Sequence, residues 1–534
     1  MNNNGATPTT EKGPQEQPVT ARAKSIVPRN LAIYIPLVVP VMLFVVSLSI
    51  PPTIDWDSGI GLIVLRSMLE GGAFNILTVP DHADISRDLA RFLSLWSPGQ
   101  YIVPGAFVWL GTNYGLALSL TTLIAVLIGV IGWAQVARSF TVTPFVLILF
   151  VSGLVSFRFA TFAFRTYHGG EILLFAAAPW ALYALRSAVD KPLLTCIAIS
   201  LPAAALLFFA KLTGLICFAA NVLVISLLDV ARKGRLTSSI LGMWAGSAIS
   251  ALLFLIFWPA RDWGPASPSW LAIWFPIAGT ALSGFSGQDL LYSLFVHSST
   301  LVSFDPTVAR DRFEYILGPL SLLFIIWIWV RLRDTRFRAM AISLLAIVAI
   351  YTTALIALYS LARTLYLFDE RHLRYSGIIF FLLFLVAMDQ WRVTVAKGCA
   401  LLVVSAFAVY GLTSYTQGTL EFLGGRYYDA LSGTSQRHAP RAVLEYLHSE
   451  VSKHKWRRPI AVLLSPSAAI ALPDFRVLVA DNLSKAGRTD KIFVVVRENM
   501  LSNGAAETLL RTFPDYEFGS WSETRIDGMV VYSQ

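Results

Sequence analysis

Charged residues gather in one polar segment, residues 51–101, which separates the first two apolar stretches of the sequence. The carboxylates and bases concerned are Asp55, Asp57, Asp81, Asp84, Asp88, His82, Arg87 and Arg91. Connections between apolar stretches are mostly short, so a segment of about fifty residues with this many charges is typical of a functional site. A carboxylate can take a proton from a reacting hydroxyl group, and a guanidinium can bind an anion. The segment therefore predicts a site for acid–base chemistry.

The first two acids of this segment have a distinctive setting. Asp55 and Asp57 follow a Pro-Pro pair, whose fixed φ angles favour an extended chain and so limit where the carboxylates can point. Residues 60–68 then show the apolar spacing of a helix that lies near a membrane surface. Either carboxylate could be the base, and this pattern does not choose between them.

The bases at the far end of the segment suggest an anion site. The spacing from Ile85 to Leu95 predicts a second helix, which would place Arg87 and Arg91 one turn apart. Two guanidinium groups at that separation could hold a phosphate between them.

Composition places these residues in a membrane protein. Of the 534 residues, 55% are hydrophobic and only 14% are charged, and the mean hydropathy is +0.62. Such a chain has too little polar surface to cover a soluble globule. The formal net charge is +9. Because the basic residues cluster in short connections between apolar stretches, they indicate membrane orientation and exclude a nucleic-acid partner.

About eleven apolar stretches are long enough to be membrane spans. They lie near 31–50, 113–137, 142–157, 170–187, 193–209, 214–230, 237–258, 313–330, 339–361, 374–390 and 398–416. Every second connection is basic, which predicts a cytoplasmic N-terminus and an external C-terminus in a bacterial inner or plasma membrane.

The remaining segments complete the predicted domain organisation. Residues 1–29 are polar and predict a disordered cytoplasmic tail, and 30–416 form the membrane domain. Within it, 259–312 predicts an external or interfacial loop. After that domain, 417–534 alternates β-branched runs with helical patterns, which predicts a small external α/β domain. The predicted fold class is thus a polytopic α-helical membrane protein with a C-terminal α/β domain.

The 51–101 segment resembles the GT-C superfamily of membrane glycosyltransferases, in particular the branch of the protein O-mannosyltransferases and lipid A aminoarabinose transferases. That family has an acid after its first span, then an Arg-x-Met-Leu-x-x-Gly pattern, then a Pro-containing entry to the second span. Here Asp57 matches the acid, residues 65–72 (LRSMLEGG) match the pattern, and residues 96–101 (WSPGQY) match the entry. The family often has Lys-Pro-Pro at that entry, so this chain departs from it there.

The resemblance implies roles for particular residues. Asp57 matches the general base for the acceptor, with Asp55 as its neighbour, and Glu171 matches a second external acid. Lys211 lies in a Lys-x-x-Gly turn, and Arg371 and Arg374 open a late span that faces the phosphate of the donor. The phosphate contact of the family's Lys-Pro-Pro is therefore either lost here or moved to Arg87, Arg91 or Lys211. For Arg371 and Arg374, anchoring to lipid phosphates is an equally supported reading.

The function implied is inverting transfer of a sugar from a polyprenyl-phosphate donor to a glycolipid, polysaccharide or protein at the extracytoplasmic face. Two alternatives stay open, namely a flippase or transporter and an O-antigen ligase or polymerase. No cofactor is predicted, and a divalent cation is left open. His82, His168 and His372 lack a zinc spacing and are expected to be ordinary loop histidines.

Overall fold

The structure is a computed structural model that describes residues 31–257, 271–285, 287, 290–291, 306–361, 370–391, 394–425, 428–429, 432–456, 459–480 and 483–534. The predicted tail 1–29 and much of the predicted loop 259–312 lie outside these residues. Within the described part, helices form the membrane domain and a mixed sheet follows them.

The helices of the membrane domain follow the apolar stretches of the sequence. They are α1 Val38–Ser47, α2 Trp56–Leu69, α3 Gly99–Trp109, α4 Tyr114–Ser139, α5 Pro144–Ser156, α6 Arg158–Thr161, α7 Gly170–Ala188, α8 Leu193–Ala210, α9 Gly214–Lys233, α10 Ser238–Phe257, α11 Leu271–Leu282, α12 Pro306–Leu332, α13 Arg338–Leu361, α14 Arg374–Gln390 and α15 Thr394–Leu423. Every predicted span overlaps one of them.

Length and composition set how many of these helices can cross a membrane. Among the described residues, 7 helices are long and apolar enough, or up to 8 if the bent pair Pro144–Ser156 and Arg158–Phe164 is one span. The polytopic helical class is therefore confirmed, and the count of about eleven spans stays a prediction.

Helix α14 lies at the centre of the bundle and is buried along almost its whole length. Its aromatic side chains pack in tilted or edge-on pairs, such as Phe381 with Phe157 at 5.0 Å and with Phe285 at 4.9 Å between ring centroids. Such pairs add to the energy of apolar burial. A 3₁₀ helix over Glu370–Leu373 leads into α14, so the packed core also holds this turn in place.

A small sheet joins three distant parts of the chain. Strands β1 Thr53–Ile54, β4 Thr166–Tyr167, β5 Tyr428–Asp429 and β6 Ser435–Gln436 lie in the order β4-β1-β6-β5. Strand β1 runs parallel to β4, with Ile54 opposite Tyr167, and parallel to β6. Buried Arg165 reinforces the junction, because its guanidinium donates to the carbonyl oxygens of Pro51 (2.7 Å) and Gly418 (3.0 Å).

The second half of the 51–101 segment is a hairpin, so the helix predicted from Ile85 to Leu95 is wrong. Strands β2 Ile76–Asp81 and β3 Asp84–Phe92 pair antiparallel. Two tertiary interactions override the local helical spacing. These are pairing with β2 and burial of Ile85 in the core of the C-terminal sheet. Because alternate residues of a strand share a face, Arg87 and Arg91 still lie on one side of β3.

The C-terminal part is the predicted mixed α/β arrangement. Its strands are β7 Ile460–Leu463, β8 Arg476–Val479, β9 Ile492–Arg497, β10 Ser522–Ile526 and β11 Met529–Ser533, in the order β10-β11-β9-β7-β8, with helices α16 Arg441–His454, α17 Asn499–Ser502 and α18 Ala505–Leu510. It docks on α2, where Arg66 Nη1 donates to the carbonyl oxygens of Ala469 (2.9 Å) and Leu472 (3.0 Å). The C-terminal sheet thus braces the helix that carries Asp57.

Candidate active site

Parallel pairing of β1 and β4 brings Asp55 and His168 side by side. Each residue directly follows its strand, and parallel strands in register end at the same edge. Asp55 Oδ2 lies 3.0 Å from His168 Nδ1. The other carboxylate oxygen of Asp55 accepts a hydrogen bond from the backbone N–H of Ser58 at 2.8 Å, which caps α2. Asp55 is therefore held on both oxygens.

Arg371 links three carboxylates that are far apart in the sequence. Its Nη1 lies 3.3 Å from Asp55 Oδ2, its Nη2 lies 3.2 Å from Asp57 Oδ2, and its Nε lies 3.6 Å from Glu171 Oε1. The side chain is only 17% exposed. The planar guanidinium presents its N–H donors in a fixed fork that suits carboxylates on several sides, whereas an ammonium group is a compact point charge.

Glu171 has a second cationic partner. Its Oε1 lies 2.6 Å from Lys211 Nζ, and both side chains are largely buried. Lys211 follows the end of α8, and Glu171 begins α7, so the pair joins the ends of two helices. Gly170 allows this approach, because a Cβ there would lie 2.8 Å from the carbonyl oxygen of Ala210. We call Asp55, Asp57, Glu171, Lys211 and Arg371 the Arg371 cluster.

Asp55 and Asp57 differ in how strongly they hold a proton. Burial raises the pKa of Asp55, but the hydrogen bond and charge of His168 and the charge of Arg371 outweigh it and leave the pKa below its ordinary value of 3.8. Burial and the nearby negative charge of Asp55 raise the pKa of Asp57, and Arg371 only partly opposes them. Asp57 is also the more exposed side chain, at 34% against 18%. Asp57 is consequently the better proton acceptor of the two.

Glu171 and Arg374 line two cavities. The first is also lined by the charged side chain of Arg371 and by Trp133, Leu174, Phe175, Ala178, Tyr375 and Ile378. The other is lined by Thr122, Phe159, Ala163, Tyr167, His168, Glu171, Ile172 and Arg374. The guanidinium carbon of Arg374 lies 5.0 Å from the centroid of the Phe159 ring, an arrangement that favours a cation–π contact.

Arg87 and Arg91 lie elsewhere, on the hairpin. Arg87 Nε is 3.2 Å from Asp81 and 3.8 Å from Asp84, at the hairpin turn. Arg91 lies opposite Leu77 in the strand pairing. The structure thus brings six predicted site residues together, namely the five of the Arg371 cluster and Arg374, which lines a cavity with two of them. Arg87 and Arg91 lie on the hairpin instead.

The sequence analysis gave no role at the site to two further residues. His168 contacts Asp55, contrary to the expectation of an ordinary loop histidine, and the Trp96 side chain opposes the rise in the pKa of Asp57. The signal for His168 was its position three residues before Glu171 in one short segment. Among the residues that the structure describes, no group of three or more His, Cys, Asp or Glu side chains is arranged to hold a metal ion.

Comparison with solved structures decides the fold. A crystal structure of ArnT from Cupriavidus metallidurans bound to undecaprenyl phosphate is similar, with a TM-score of 0.54 over 94% of this chain and 98% of that chain. The chain has the GT-C fold of ArnT.

This likeness to ArnT rests on shape, because sequence identity is only 14%. The apo structure of ArnT from the same organism gives a TM-score of 0.53 at 13% identity, over 94% of this chain and 97% of that one. No protein-family model and no curated protein sequence matches the chain. The ArnT fold confirms the resemblance to the lipid A aminoarabinose transferase branch at the level of architecture.

Proposed function

We propose that this chain is an integral membrane glycosyltransferase that moves a sugar from a polyprenyl-phosphate carrier to an acceptor hydroxyl group. One observation carries the proposal: Asp57, with its raised pKa, pairs with Arg371, a largely buried arginine that lines a cavity together with mainly apolar side chains. A lipid-linked sugar has the matching chemistry, with a reacting carbon next to a phosphate and a long apolar chain. The coarser assignment, a lipid-sugar-dependent transferase, is also suggested by the ArnT fold.

The donor phosphate would bind to Arg371, Arg374 and Lys211. Arg371 and Arg374 line the first cavity, and Lys211 contacts Glu171, which lines it too. Charge-assisted hydrogen bonds from guanidinium groups to phosphate are strong and directional. The lipid chain would lie along the apolar side chains of Trp133, Leu174 and Phe175. Undecaprenyl phosphate bound to ArnT supports this class of ligand. Arg87 and Arg91 are not part of this proposal, because Arg87 pairs with Asp81 and Arg91 lies opposite Leu77 on the hairpin.

Asp57 would act as the general base. The acceptor oxygen attacks the anomeric carbon, its proton passes to the Asp57 carboxylate, and the bond from that carbon to the phosphate oxygen breaks with both electrons staying on the phosphate. A single displacement of this kind inverts the anomeric centre and needs one base. Asp55 is less suited to the role, since both its oxygens have partners and its pKa is lowered.

The site would lie on the extracytoplasmic side. The Arg371 cluster draws on the 51–101 segment, the start of α7, the turn after α8 and the turn before α14. A chain with a cytoplasmic N-terminus places all four of these on the outer face, together with the end of α15 and the C-terminal sheet. The acceptor could be a glycolipid, a polysaccharide or a protein.

The test is transfer by the purified full-length protein in lipid vesicles. Each of a panel of radiolabelled polyprenyl-phosphate sugars is supplied with a membrane extract as the source of acceptor. We expect label to leave the donor for an acceptor, and Asp57→Asn to lower that rate by about a hundred- to ten-thousand-fold, since Asn has a similar size but cannot take a proton.

Asp334→Asn is the matched control, because Asp334 is 82% exposed and lies outside the site. It should transfer at the rate of the unmodified protein. Failure to transfer from every donor would refute the proposal, and movement of labelled lipid between leaflets without loss of its sugar would instead favour the flippase alternative. Equal rates for Asp57→Asn and the control would remove Asp57 from the mechanism.

A further inference from the structure

His168 is held at the site with an orientation that its contacts define. Its Nδ1 lies 3.0 Å from Asp55 Oδ2, and its ring stacks on Phe162 with 6.0 Å between centroids and 26° between planes. The next residue, Gly169, has φ +59 and would place a Cβ 2.6 Å from the side chain of Gln100. Only glycine fits both the left-handed backbone and this close approach, so the chain turns sharply directly after the imidazole.

The contact with Asp55 determines which nitrogen of His168 can exchange a proton. The lowered pKa of Asp55 keeps it a carboxylate, and a carboxylate only accepts hydrogen bonds. Nδ1 must therefore carry its proton in both charge states of the ring. Gain and loss of a proton then occur at Nε2, as in a histidine that is oriented by an acid.

The lining of the second cavity shows which groups surround the imidazole of His168. His168 lines it together with Glu171 and Arg374, and Arg374 also lines the neighbouring cavity with Arg371. The charged groups around the imidazole are thus Asp55 from the first loop, Glu171 from α7, and Arg371 and Arg374 from the entrance to α14. Glu171 is already neutralised by Lys211 and Arg371. The space next to His168 is consequently suited to an added anion.

We propose that His168 is a further catalytic residue, which donates a hydrogen bond from Nε2–H to the phosphate oxygen that leaves the sugar. The inference rests on the proposed transferase function. As the bond from the anomeric carbon to this oxygen breaks, the phosphate gains one negative charge, while the proton of the acceptor goes to Asp57. A donor aimed at charge that develops in the transition state lowers the barrier. Asp57 then takes the proton from the attacking oxygen, and His168 donates a hydrogen bond to the leaving oxygen.

The proposal requires Asp57 to be ionised and His168 to be protonated at Nε2, so pH affects the two residues in opposite ways. Asp57 must be ionised, so the rate falls when pH drops through its pKa. His168 must carry a proton on Nε2, so the rate falls when high pH removes that proton. The profile of kcat/KM against pH should accordingly be bell-shaped, with the acid limb due to Asp57 and the alkaline limb due to His168.

The experiment measures this profile for the full-length protein and for His168→Asn, His168→Gln and His454→Asn. An Asn amide can replace Nδ1 as a donor to Asp55 but has no atom at the position of Nε2, whereas a Gln amide reaches closer to that position. We expect His168→Asn to lose about a hundredfold in kcat and the alkaline limb together, with the acid limb unchanged. His168→Gln should also lose the alkaline limb but keep more of the rate. His454 is exposed on α16, and its variant should keep both limbs.

Each outcome decides between the two proposals. If the unmodified protein transfers sugar and His168→Asn keeps its rate and its alkaline limb, the role of His168 is wrong while the transferase function stands. Loss of the acid limb in His168→Asn would make the histidine the base and overturn its role as a donor. Lack of transfer by the unmodified protein would reject the transferase function itself.

Discussion

The bundle contains two clusters in which acidic and basic side chains pair. They consist of similar residue types and lie at opposite ends of the same helices. The Arg371 cluster lies at the starts of α7 and α9, and a second group lies where those helices end. We call this second group, which comprises Asp190, Asp229, Arg232 and Lys233, the Arg232 cluster. Helices of about twenty residues separate the two clusters by roughly 30 Å.

The two clusters differ in burial and in where their members come from. Arg232 is 58% exposed, and it pairs with Asp229 three residues earlier on the same helix. Arg371 is 17% exposed, and it pairs with Asp55, which is 316 residues away in the sequence. Basic residues at the exposed end of a helix follow from the helix dipole and from membrane orientation. A buried charged group assembled from distant segments costs desolvation energy and is therefore more typical of a functional site.

Replacing the two arginines tests this comparison and should give the largest contrast. Arg371→Ala removes the partner of three carboxylates and the proposed contact to phosphate. We expect kcat/KM for the lipid-linked donor to fall by about a hundredfold or more, because the substitution removes the proposed phosphate contact and leaves buried carboxylates without their partner. Arg232→Ala should leave it nearly unchanged, because Arg232 lies at the other end of the helices and its exposed pair contributes about 1 kcal/mol at most to stability.

Arg371→Lys sharpens the same contrast. It keeps the charge but cannot address Asp55 and Asp57 through two parallel donors, so we expect it to remain clearly impaired. Wild-type donor use by both Arg371 variants would reduce this arginine to a structural or anchoring role.

Replacing Asp55 or Asp57 by Asn should change the stability of the fold at pH 7 in opposite directions. The folded state lowers the pKa of Asp55, so its ionised form stabilises the fold above the ordinary pKa of 3.8, and this contribution is lost as pH falls through the folded value. The folded state raises the pKa of Asp57, so its ionised form opposes folding at neutral pH. Asp55→Asn should lower the free energy of unfolding by about 1–2 kcal/mol. Asp57→Asn should leave the melting temperature unchanged or raise it.

Thermal unfolding in detergent, followed by intrinsic fluorescence, measures both changes. A gain of stability together with loss of turnover in Asp57→Asn is the usual sign of a residue kept for function. A lower melting temperature for Asp57→Asn than for Asp55→Asn would reverse the assignment of the two acids.

Arg66 tests whether the C-terminal sheet braces the site, and its effect on turnover should be the smallest of the three. Arg66→Ala removes the donors to the carbonyl oxygens of Ala469 and Leu472, both buried residues. We expect the free energy of unfolding to fall by about 1–3 kcal/mol, with a smaller effect on turnover than that of Arg371→Ala. Arg511→Ala, which breaks an exposed pair with Glu507 on α18, is the control and should be near neutral. Identical stability of the two variants would mean that the docking contact is unimportant.

The sequence alone indicated the polytopic helical class, because long apolar runs predict membrane spans. The number of spans and the orientation that the basic connections indicate stay predictions. Apolar periodicity likewise predicted α2 and the main elements of the C-terminal sheet. These are local signals, read within one or two turns of chain. The motif around Asp57 indicated the GT-C fold, which the likeness to ArnT confirms at the level of shape.

Only the tertiary structure decided which charged residues meet. Residues 85–95 carry a helical spacing, yet pairing with β2 and burial of Ile85 make them a strand, and Arg87 lies at the hairpin turn. His168 shows no metal spacing, and its contact with Asp55 exists because β1 pairs with β4 across more than a hundred residues. Burial and the charges of Asp55 and Glu171 raise the pKa of Asp57, the charge of Arg371 opposes them, and these three residues come from different segments. Proton affinity is set by distances in space, which the order of residues along the chain does not contain.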